Sequence, residues 1–290
     1  MNILICSDGT PASDEAAQLG GMVARATKAQ VTLLGIAEKS GEEQPLHQAL
    51  DRQTDILRRA GVDLRTVIQA GEPTAQILGE TSAKKYDLIV IGSRRKDTTE
   101  HLWRSYRTYE IIKAVEPPVL VAIGSSERLS RILLCSGGKH FIDDAVRLTG
   151  TIAAALHAEV TIFNIMAEPP AVYAHLMELE EDVDALLASG SELGRNLLAE
   201  RKVLEKLGVA VKLRIRHGFI VDQLLEEIRE GNYDLIVSGS SRARGPLRHF
   251  IMGDVTEAIL ENAECSVLVA RSQRPGPAKG LWRSIARLFR

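Results

Sequence analysis

The residues best suited to chemistry in this sequence are glycines and basic side chains that follow apolar, β-branched runs. The segment Ser136-Gly137-Gly138-Lys139 comes directly after the apolar run 132–135. Glycines let backbone N–H groups approach an anion closely, and a neighbouring cation adds attraction, so this segment predicts a small phosphate-binding site. Arg242, Arg244 and Arg248 follow another apolar run, where they either add positive charge to the site or are solvated loop residues.

No pattern for covalent or hydrolytic chemistry accompanies these residues. The sequence has no G-x-S-x-G, H-E-x-x-H or C-x-x-C motif and no complete G-x4-G-K-[ST] loop, and its seven histidines are scattered. His101 and His249 each follow a strand-like run, but a single loop histidine is more often solvated than a catalytic base. We therefore predict no catalytic residue and no metal site built by the protein.

Composition limits the class of protein. The chain has 290 residues, 45% hydrophobic and 26% charged, enough for one large domain or two ordinary ones. Its net charge of -2 gives no general attraction to nucleic acid. Cys6, Cys135 and Cys265 lie in apolar runs, which favours buried free thiols in a reducing compartment. With no secretion signal and no apolar run near about 18 residues, we expect a cytoplasmic protein without a membrane span.

The chain contains two copies of one pattern in the same order. Ile3-Leu-Ile-Cys-Ser7 resembles Ile132-Leu-Leu-Cys-Ser136 at an offset of 129 residues, and Asp87-Leu-Ile-Val resembles Asp234-Leu-Ile-Val at an offset of 147. The larger second offset predicts an insertion of about 18 residues in the second copy, including the acidic stretch 177–184. We predict a first repeat (1–124), a second repeat (130–272) and a tail (273–290).

Each repeat alternates strand-like and helix-like segments. Apolar residues at helical spacing follow the first run, and Thr10-Pro11 predicts the start of that helix. The pattern predicts α/β architecture: two tandem open five-stranded parallel sheets, Rossmann-like, with ligand chemistry at the carboxyl ends of strands one and four. The short connection near 125–130 predicts that the two repeats pack together. The strands predicted in the first repeat are 3–7, 30–36, 64–68, 87–91 and 118–122.

Particular residues at these strand ends carry a family resemblance. The first repeat has Asp8-Gly9-Thr10 and Gly92-Ser93, and the second has Gly239-Ser240, then Gly245 through Gly253, then Ser266-Val-Leu-Val-Ala270. Together they resemble a tandem universal stress protein over residues 1 to about 272. The resemblance implies an adenine nucleotide alpha hydrolase-like fold packed as a pseudo-dimer. It also implies ATP binding by an acidic residue after strand one and a G-x2-G-x9-G-[ST] loop after strand four.

The first repeat keeps little of the nucleotide motif that the resemblance implies. Asp8 matches the acidic position and Gly92 matches the first loop glycine. Arg95 replaces the second glycine, and Ser105-Tyr106 replaces the final Gly-Ser. Bulky side chains thus occupy positions where backbone must meet phosphate, so we expect no ATP bound here in the manner of the family. We expect Asp8 to hydrogen-bond its own turn beside Thr10.

The second repeat keeps the loop glycines but lacks the acidic residue, which is replaced by Gly137. Arg242 replaces the second glycine, and Asp254 replaces the final Ser or Thr, where it would repel a phosphate unless Mg²⁺ intervenes. Candidate ligands are a phosphorylated small molecule or, specifically, ATP, ADP or AMP with Mg²⁺. The predicted site residues are Gly137, Gly138, Lys139, Ile165, Gly239, Ser240, Arg242, Gly245, Gly253, Asp254 and Val255.

The tail predicts a basic amphipathic helix over 279–290. Its apolar residues share one helical face, and Lys279, Arg283, Arg287 and Arg290 lie around the other. Such a helix binds an anionic membrane surface or a partner's groove, or it covers an apolar patch on its own chain or on a second subunit.

These observations lead to one functional hypothesis with two alternatives. The leading hypothesis is a non-enzymatic binding or regulatory module in the stress response, with any nucleotide site in the second repeat. The alternatives are an ATP-binding stress sensor with slow ATPase activity and a scaffold that acts through the tail helix. Homodimerisation is plausible because family members pair their last strands, although a tandem chain can satisfy that pairing internally. No nucleic-acid partner is expected.

Overall fold

A computed structural model of the chain describes residues 1–38, 41, 43–93, 101–125, 128–138, 143–166, 183–242, 250–251 and 254–272. The strands are β1 Asn2–Ser7, β2 Gln30–Ala37, β3 Leu64–Ala70, β4 Leu88–Ser93, β5 Val119–Ile123, β6 Arg131–Cys135, β7 Glu159–Met166, β8 Val211–His217, β9 Leu235–Arg242, β10 Phe250–Ile251 and β11 Ser266–Ser272. The helices are α1 Pro11–Thr27, α2 Glu43–Arg59, α3 Pro73–Ala83, α4 His101–Ala114, α5 Asp143–Leu156, α6 Val183–Ala188, α7 Glu192–Lys206, α8 Ile220–Gly231 and α9 Asp254–Asn262.

Each repeat forms the predicted open parallel sheet. The strand order is β3-β2-β1-β4-β5 in the first repeat and β8-β7-β6-β9-β11 in the second, and all of these neighbours are parallel. The order reverses between β1 and β4, and between β6 and β9, so each repeat has the predicted crevice at these strand ends. The short β10 pairs antiparallel with β9 and lies outside the main strand order.

The two repeats join through their last strands. In an antiparallel pairing, Val119, Leu120 and Val121 of β5 lie opposite Val269, Leu268 and Val267 of β11. The two sheets are therefore one continuous sheet, and helices α1 and α5 pack against each other beside the junction. The pseudo-dimer expected from the sequence is confirmed. Because the junction is antiparallel, the carboxyl ends of the parallel strands face opposite directions in the two repeats.

Two side chains fasten the junction. The guanidinium of Arg271, near the end of β11, donates to the carbonyl of Ile112 in the last turn of α4. It also donates to the carbonyls of Val115 and Pro117, between α4 and β5. Burial lowers the pKa of Arg271 to about 9, because removing the guanidinium from water disfavours its charge. The hydrogen bonds to the three carbonyls offset part of this cost. The hydroxyl of Tyr109 on α4 donates to the carbonyl of Glu257 on α9 at 3.0 Å.

Helix α1 starts where the sequence predicts. Thr10 has the extended backbone of an N-cap and Pro11 occupies the first turn, but the Thr10 side chain makes no capping bond to the helix. Its hydroxyl donates to Asp8 instead, at 2.7 Å. The three cysteines form no disulfide, as expected, but Cys135 and Cys265 are only half-buried, because Cys135 ends β6 and Cys265 precedes β11.

Candidate functional site

The described part of the first repeat contains a cleft of about 510 Å³ at the carboxyl ends of its strands. Its floor comes from the ends of β1, β2 and β4, and its walls come from α2, α3 and α4. Most of the lining is apolar, with a few hydroxyls and charged groups at the edge. The residues that argue for its character are Cys6, Ile36, Leu46, Ile77, Ile91 and Ile111 on the apolar side and Ser7, Asp8, Ser93, Arg107 and Thr108 on the polar side.

Asp8 lies at the edge of this cleft and organises the turn after β1. Its Oδ1 accepts hydrogen bonds from the Thr10 backbone N–H at 3.0 Å, the Thr10 hydroxyl at 2.7 Å and the Ser13 hydroxyl at 3.2 Å. The local turn role predicted for Asp8 is therefore confirmed. Its side chain is exposed, and among the residues that the structure describes no donor contacts its second oxygen, Oδ2.

Gly92 is held by packing at the end of β4. A Cβ at this position would lie 1.9 Å from the backbone oxygen of Ala12, which belongs to the first turn of α1. The absence of a side chain thus lets the helix start approach the strand end, and it shapes the cleft between β1 and β4. Gly92 and Asp8 both line the cleft.

A charged group closes one side of the cleft mouth. Arg107 on α4 forms an ion pair with Glu38, which follows β2. Glu72 precedes α3 and caps it, accepting from the backbone N–H groups of Thr74 at 2.9 Å and Ala75 at 2.7 Å. Burial acts to raise the pKa of Glu72, but these N–H groups and the nearby Arg107 guanidinium outweigh it and lower the pKa.

The thiol in the cleft is not an activated nucleophile. Burial raises the pKa of Cys6, with a smaller contribution from Glu80, so this thiol stays protonated at neutral pH. No group of histidine, cysteine and acidic side chains suited to a metal ion occurs in the described part of the chain. The cleft has the properties of a binding site, and none of its described residues offers the arrangement of a nucleophile and its base.

In the second repeat, the corresponding loop after β6 (residues 136–138) is held by hydrogen bonds to buried side chains. The Asn164 amide donates to the Ser136 carbonyl at 2.7 Å, and the Asn196 amide donates to the Gly138 carbonyl at 2.7 Å. The Ser136 hydroxyl donates to the buried Glu200 at 2.9 Å and accepts from the Gly138 N–H at 3.0 Å. These bonds hold residues 136–138 in one conformation.

Gly137 and Gly239, by contrast, have no close neighbours among the described residues. A Cβ at either position would meet no described atom within 4 Å. Because β6 and β9 are neighbours, the two glycines lie at the same edge of the sheet, as predicted. Ile165 lies on the adjacent strand β7, and Val255 lies in the first turn of α9.

The remaining predicted residues of the second repeat cannot be placed against these. Ser240 and Arg242 belong to β9 and Asp254 begins α9, although their side chains lie outside the described parts. Lys139, Gly245 and Gly253 are outside the described residues, as is the predicted tail helix 279–290. The ligand assignment in the second repeat stays a prediction.

Sequence reasoning missed a polar cluster that occurs once in each repeat. In the second repeat the buried Glu227 accepts from the Tyr233 hydroxyl at 2.7 Å and pairs with Arg214 and Arg216 from the edge strand β8. With burial as the main cause and the Glu227 hydrogen bond second, the pKa of Tyr233 rises to about 12. The first repeat has the same cluster in Arg65, Glu80 and Tyr86.

A signal for this cluster exists in the repeat alignment. Glu80 aligns with Glu227 and Tyr86 with Tyr233, at the offset of 147 that relates the two fourth strands. A carboxylate at the same position of both repeats, three residues after the apolar Ile77 and Leu224 and thus on their helical face, indicates a buried, paired group. The cluster fixes α3 and α8 against their edge strands, and so it positions the start of each helix at the strand ends.

The part of the chain that the structure describes has no helix long and apolar enough to cross a membrane.

A solved universal stress protein from Archaeoglobus fulgidus is similar, with a TM-score of 0.66 and 15% identity over 93% of this chain and 98% of that chain. A Pseudomonas aeruginosa protein described as functionally unknown is similar at a TM-score of 0.66 and 17% identity, over 93% of this chain and 92% of that chain.

Comparisons of sequence agree with these likenesses of fold. A universal stress protein of Methanocaldococcus jannaschii is 26% identical over 145 residues, which cover 50% of this chain and 83% of the relative. The model of the universal stress protein family matches residues 1–122 and again residues 129–271. Since that family model accounts for both repeats, the chain belongs to the universal stress protein family and carries two copies of its domain.

Proposed function

We propose that this protein is a non-enzymatic, ligand-binding regulatory module of the stress response, with a small-molecule site in the cleft of the first repeat. The observation that carries the proposal is the cleft itself. Its volume of about 510 Å³ lies in the range of small-molecule sites, and it combines apolar walls with a few convergent polar groups. It also lies at the reversal of strand order, where open α/β sheets bind their ligands.

A blocking variant tests this site. Thr108 lines the cleft from α4 and is half-buried, so Thr108→Trp fills the cleft from its wall. Native mass spectrometry of the protein as purified, and thermal-shift assays with nucleosides and nucleotides, are expected to show a ligand for the wild type. That binding should be lost in Thr108→Trp. Thr151→Trp, on an exposed position of α5, is the matched control. Equal binding in both variants would remove the proposal.

The absence of catalysis is tested separately. With ATP and Mg²⁺, we expect phosphate release no faster than in a control without protein, because the described cleft contains no activated nucleophile or base. Release that exceeds this background and disappears in Thr108→Trp or Gly253→Trp would favour the alternative of a stress sensor with slow ATPase activity.

A phosphate-bearing ligand in the second repeat is the second candidate. It is favoured by Gly137 and Gly239 at the ends of neighbouring strands, where a Cβ would meet no described atom within 4 Å. Titration calorimetry with ATP, ADP and AMP, with and without Mg²⁺, tests it in the wild type and in Gly253→Trp. Saturable binding that is lost in Gly253→Trp but kept in Thr108→Trp would assign the site to the second repeat and give Asp254 a role through Mg²⁺.

The scaffold alternative depends on the tail. Co-sedimentation with anionic liposomes of the full chain and of a version ending at Ser272 tests the membrane role of residues 279–290. Equal partitioning of the two would exclude it.

A further inference from the structure

The apolar lining of the cleft in the first repeat indicates the polarity and shape of its ligand. Four elements, β2, α3, β4 and α4, each contribute one isoleucine to the cleft, and α2 adds Leu46; the isoleucines are Ile36, Ile77, Ile91 and Ile111. All five side chains are buried within the fold and expose only a small part of their surface to the cleft. Walls of this kind suit a ring system rather than an extended polar chain, because burying apolar ligand surface is favourable while burying unpaired polar groups is not.

The charges around the cleft mouth oppose an anion. Asp8 is exposed at the edge, Glu38 lines the cleft and Glu72 lies just before the lining residue Pro73. The cation among the described lining residues is Arg107, and it is already engaged by Glu38. Among the described residues at the mouth, three carboxylates stand against one guanidinium, a formal charge of -2 that opposes the entry of a phosphate.

The same carboxylates can accept hydrogen bonds from a neutral ligand. Oδ1 of Asp8 is saturated by Thr10 and Ser13, while Oδ2 has no donor among the described residues and lies on a side chain that lines the cleft. An ionised carboxylate is a strong acceptor for hydroxyl groups. Ser93 and Thr108 add hydroxyls that donate or accept.

We infer that the cleft of the first repeat takes an uncharged, nucleoside-sized ligand that donates a hydroxyl group to Asp8, and that it disfavours the same ligand carrying a phosphate. This rests on the proposed function, in which the cleft is a ligand site. The inference goes beyond the proposed function because it gives the two repeats different ligands. The first takes an uncharged ligand and, where the second candidate holds, the second takes a phosphorylated one.

Matched pairs of compounds test the inference. Titration calorimetry on the full chain uses adenosine, guanosine, uridine and cytidine, each beside its 5′-monophosphate, together with inorganic phosphate. We expect at least one nucleoside to bind about tenfold or more tightly than its monophosphate, since like charges brought together weaken binding. That binding should be lost in Thr108→Trp and kept in Gly253→Trp.

Two other outcomes are distinguishable. If a monophosphate binds as tightly as its nucleoside and Thr108→Trp abolishes both, the cleft remains a ligand site and the inference of an uncharged ligand is overturned. Arg94, Arg95 and Lys96, which follow Ser93 outside the described residues, would then supply the compensating charge. If no compound binds but native mass spectrometry shows a ligand that Thr108→Trp loses, the inference fails and the proposed function stands. If neither experiment shows a ligand, both fail.

Charge variants test the cause. Glu38→Gln releases the Arg107 guanidinium, so it should lower the preference for nucleoside over monophosphate by about tenfold. Asp8→Asn should weaken nucleoside binding by about tenfold, because the amide is a weaker acceptor than the carboxylate. Asp55→Asn, an exposed position on α2, changes the net charge equally and should alter neither quantity. Unfolding midpoints show that the variants are folded, and a preference unchanged in Glu38→Gln would contradict the electrostatic argument.

Discussion

The two repeats share a framework and differ at their strand ends. Where the first repeat has Gly35 and Ala49, the second has Asn164 and Asn196 at the aligned positions. The two amides reach up to carbonyls of the loop after β6 and fix it, whereas the loop after β1 is fixed by Asp8 and leaves a cleft beside it. The loop after the first strand is therefore held by different groups in the two repeats.

The polar cluster of each repeat belongs to the shared framework. Glu80 and Glu227 both receive a tyrosine hydroxyl and an arginine from the edge strand. The difference is one of degree: the side chain of Glu227 is 0% exposed, and that of Glu80 is 10% exposed. The framework therefore tolerates variation in charge and burial while the helix that it anchors stays in place.

The largest predicted effect comes from removing these carboxylates. Glu227→Ala leaves Arg216 and the Tyr233 hydroxyl without their buried partner, and we expect a loss of about 3–5 kcal/mol in the free energy of unfolding. Glu80→Ala should cost less, about 1–3 kcal/mol, because its partner Arg65 is 58% exposed and regains water. Urea denaturation of both variants checks this order.

Glu230→Ala is the control for the Glu227 substitution. Glu230 also contacts Arg214 and Arg216, but its side chain is 53% exposed, so its loss should cost no more than about 1 kcal/mol. Equal losses in Glu230→Ala and Glu227→Ala would mean that burial of the carboxylate does not set the energy of the cluster.

The second prediction concerns the glycines that end the fourth strand of each repeat. Gly92→Ala brings a Cβ onto the backbone of Ala12, which cannot rotate away, so we expect a loss of about 1–3 kcal/mol. Gly239→Ala meets no described atom within 4 Å and should change the free energy of unfolding by no more than about 0.5 kcal/mol. The two variants are compared by urea denaturation.

This pair of glycine variants is the most direct test of the difference in packing between the two strand ends. If Gly239→Ala destabilises as much as Gly92→Ala, then the space beside Gly239 is filled in the folded protein, and the second candidate site loses its main support. If neither variant destabilises, α1 does not need its close approach to β4, and the shape of the first cleft is less fixed than its contacts indicate.

Sequence periodicity was sufficient for the fold because the apolar runs are short, β-branched and separated by helical segments. It predicted the five strands of the first repeat to within about two residues at their ends. The family resemblance also indicated that the last strands pair, and two repeats in one chain can form that pair internally. These features depend on local pattern and on topology rules, which a single sequence carries.

The contents of the sites depended on contacts that no local pattern encodes. That Asn164 and Asn196 bind loop carbonyls follows from strand register and from the approach of α7, which join residues 28 and 58 positions from their partners. Asp8 was the exception, since its turn bonds are local and were predicted. The Arg271 contacts across the junction required knowledge of the antiparallel pairing of β5 with β11.

The smallest predicted effect concerns a feature that both repeats share. Helices α1 and α5 end at aligned residues in the left-handed conformation, Lys28 with φ of 53° and His157 with φ of 54°. Glycine adopts this conformation without a Cβ penalty, so Lys28→Gly and His157→Gly should each raise the free energy of unfolding by about 0.5–1 kcal/mol. Thermal unfolding monitored by circular dichroism measures the gain.

Thr27→Gly provides the contrast for this last pair. Thr27 is still helical and donates its hydroxyl to the Val23 carbonyl at 2.7 Å, so glycine there should lower the free energy of unfolding by about 1 kcal/mol. Similar gains at Lys28 and His157 would show that the two repeats respond alike outside their strand ends. The two helix ends have the same backbone geometry and both side chains are exposed, so the two substitutions should act alike. If one raises the free energy of unfolding and the other lowers it, the repeats differ in their framework as well as at their strand ends.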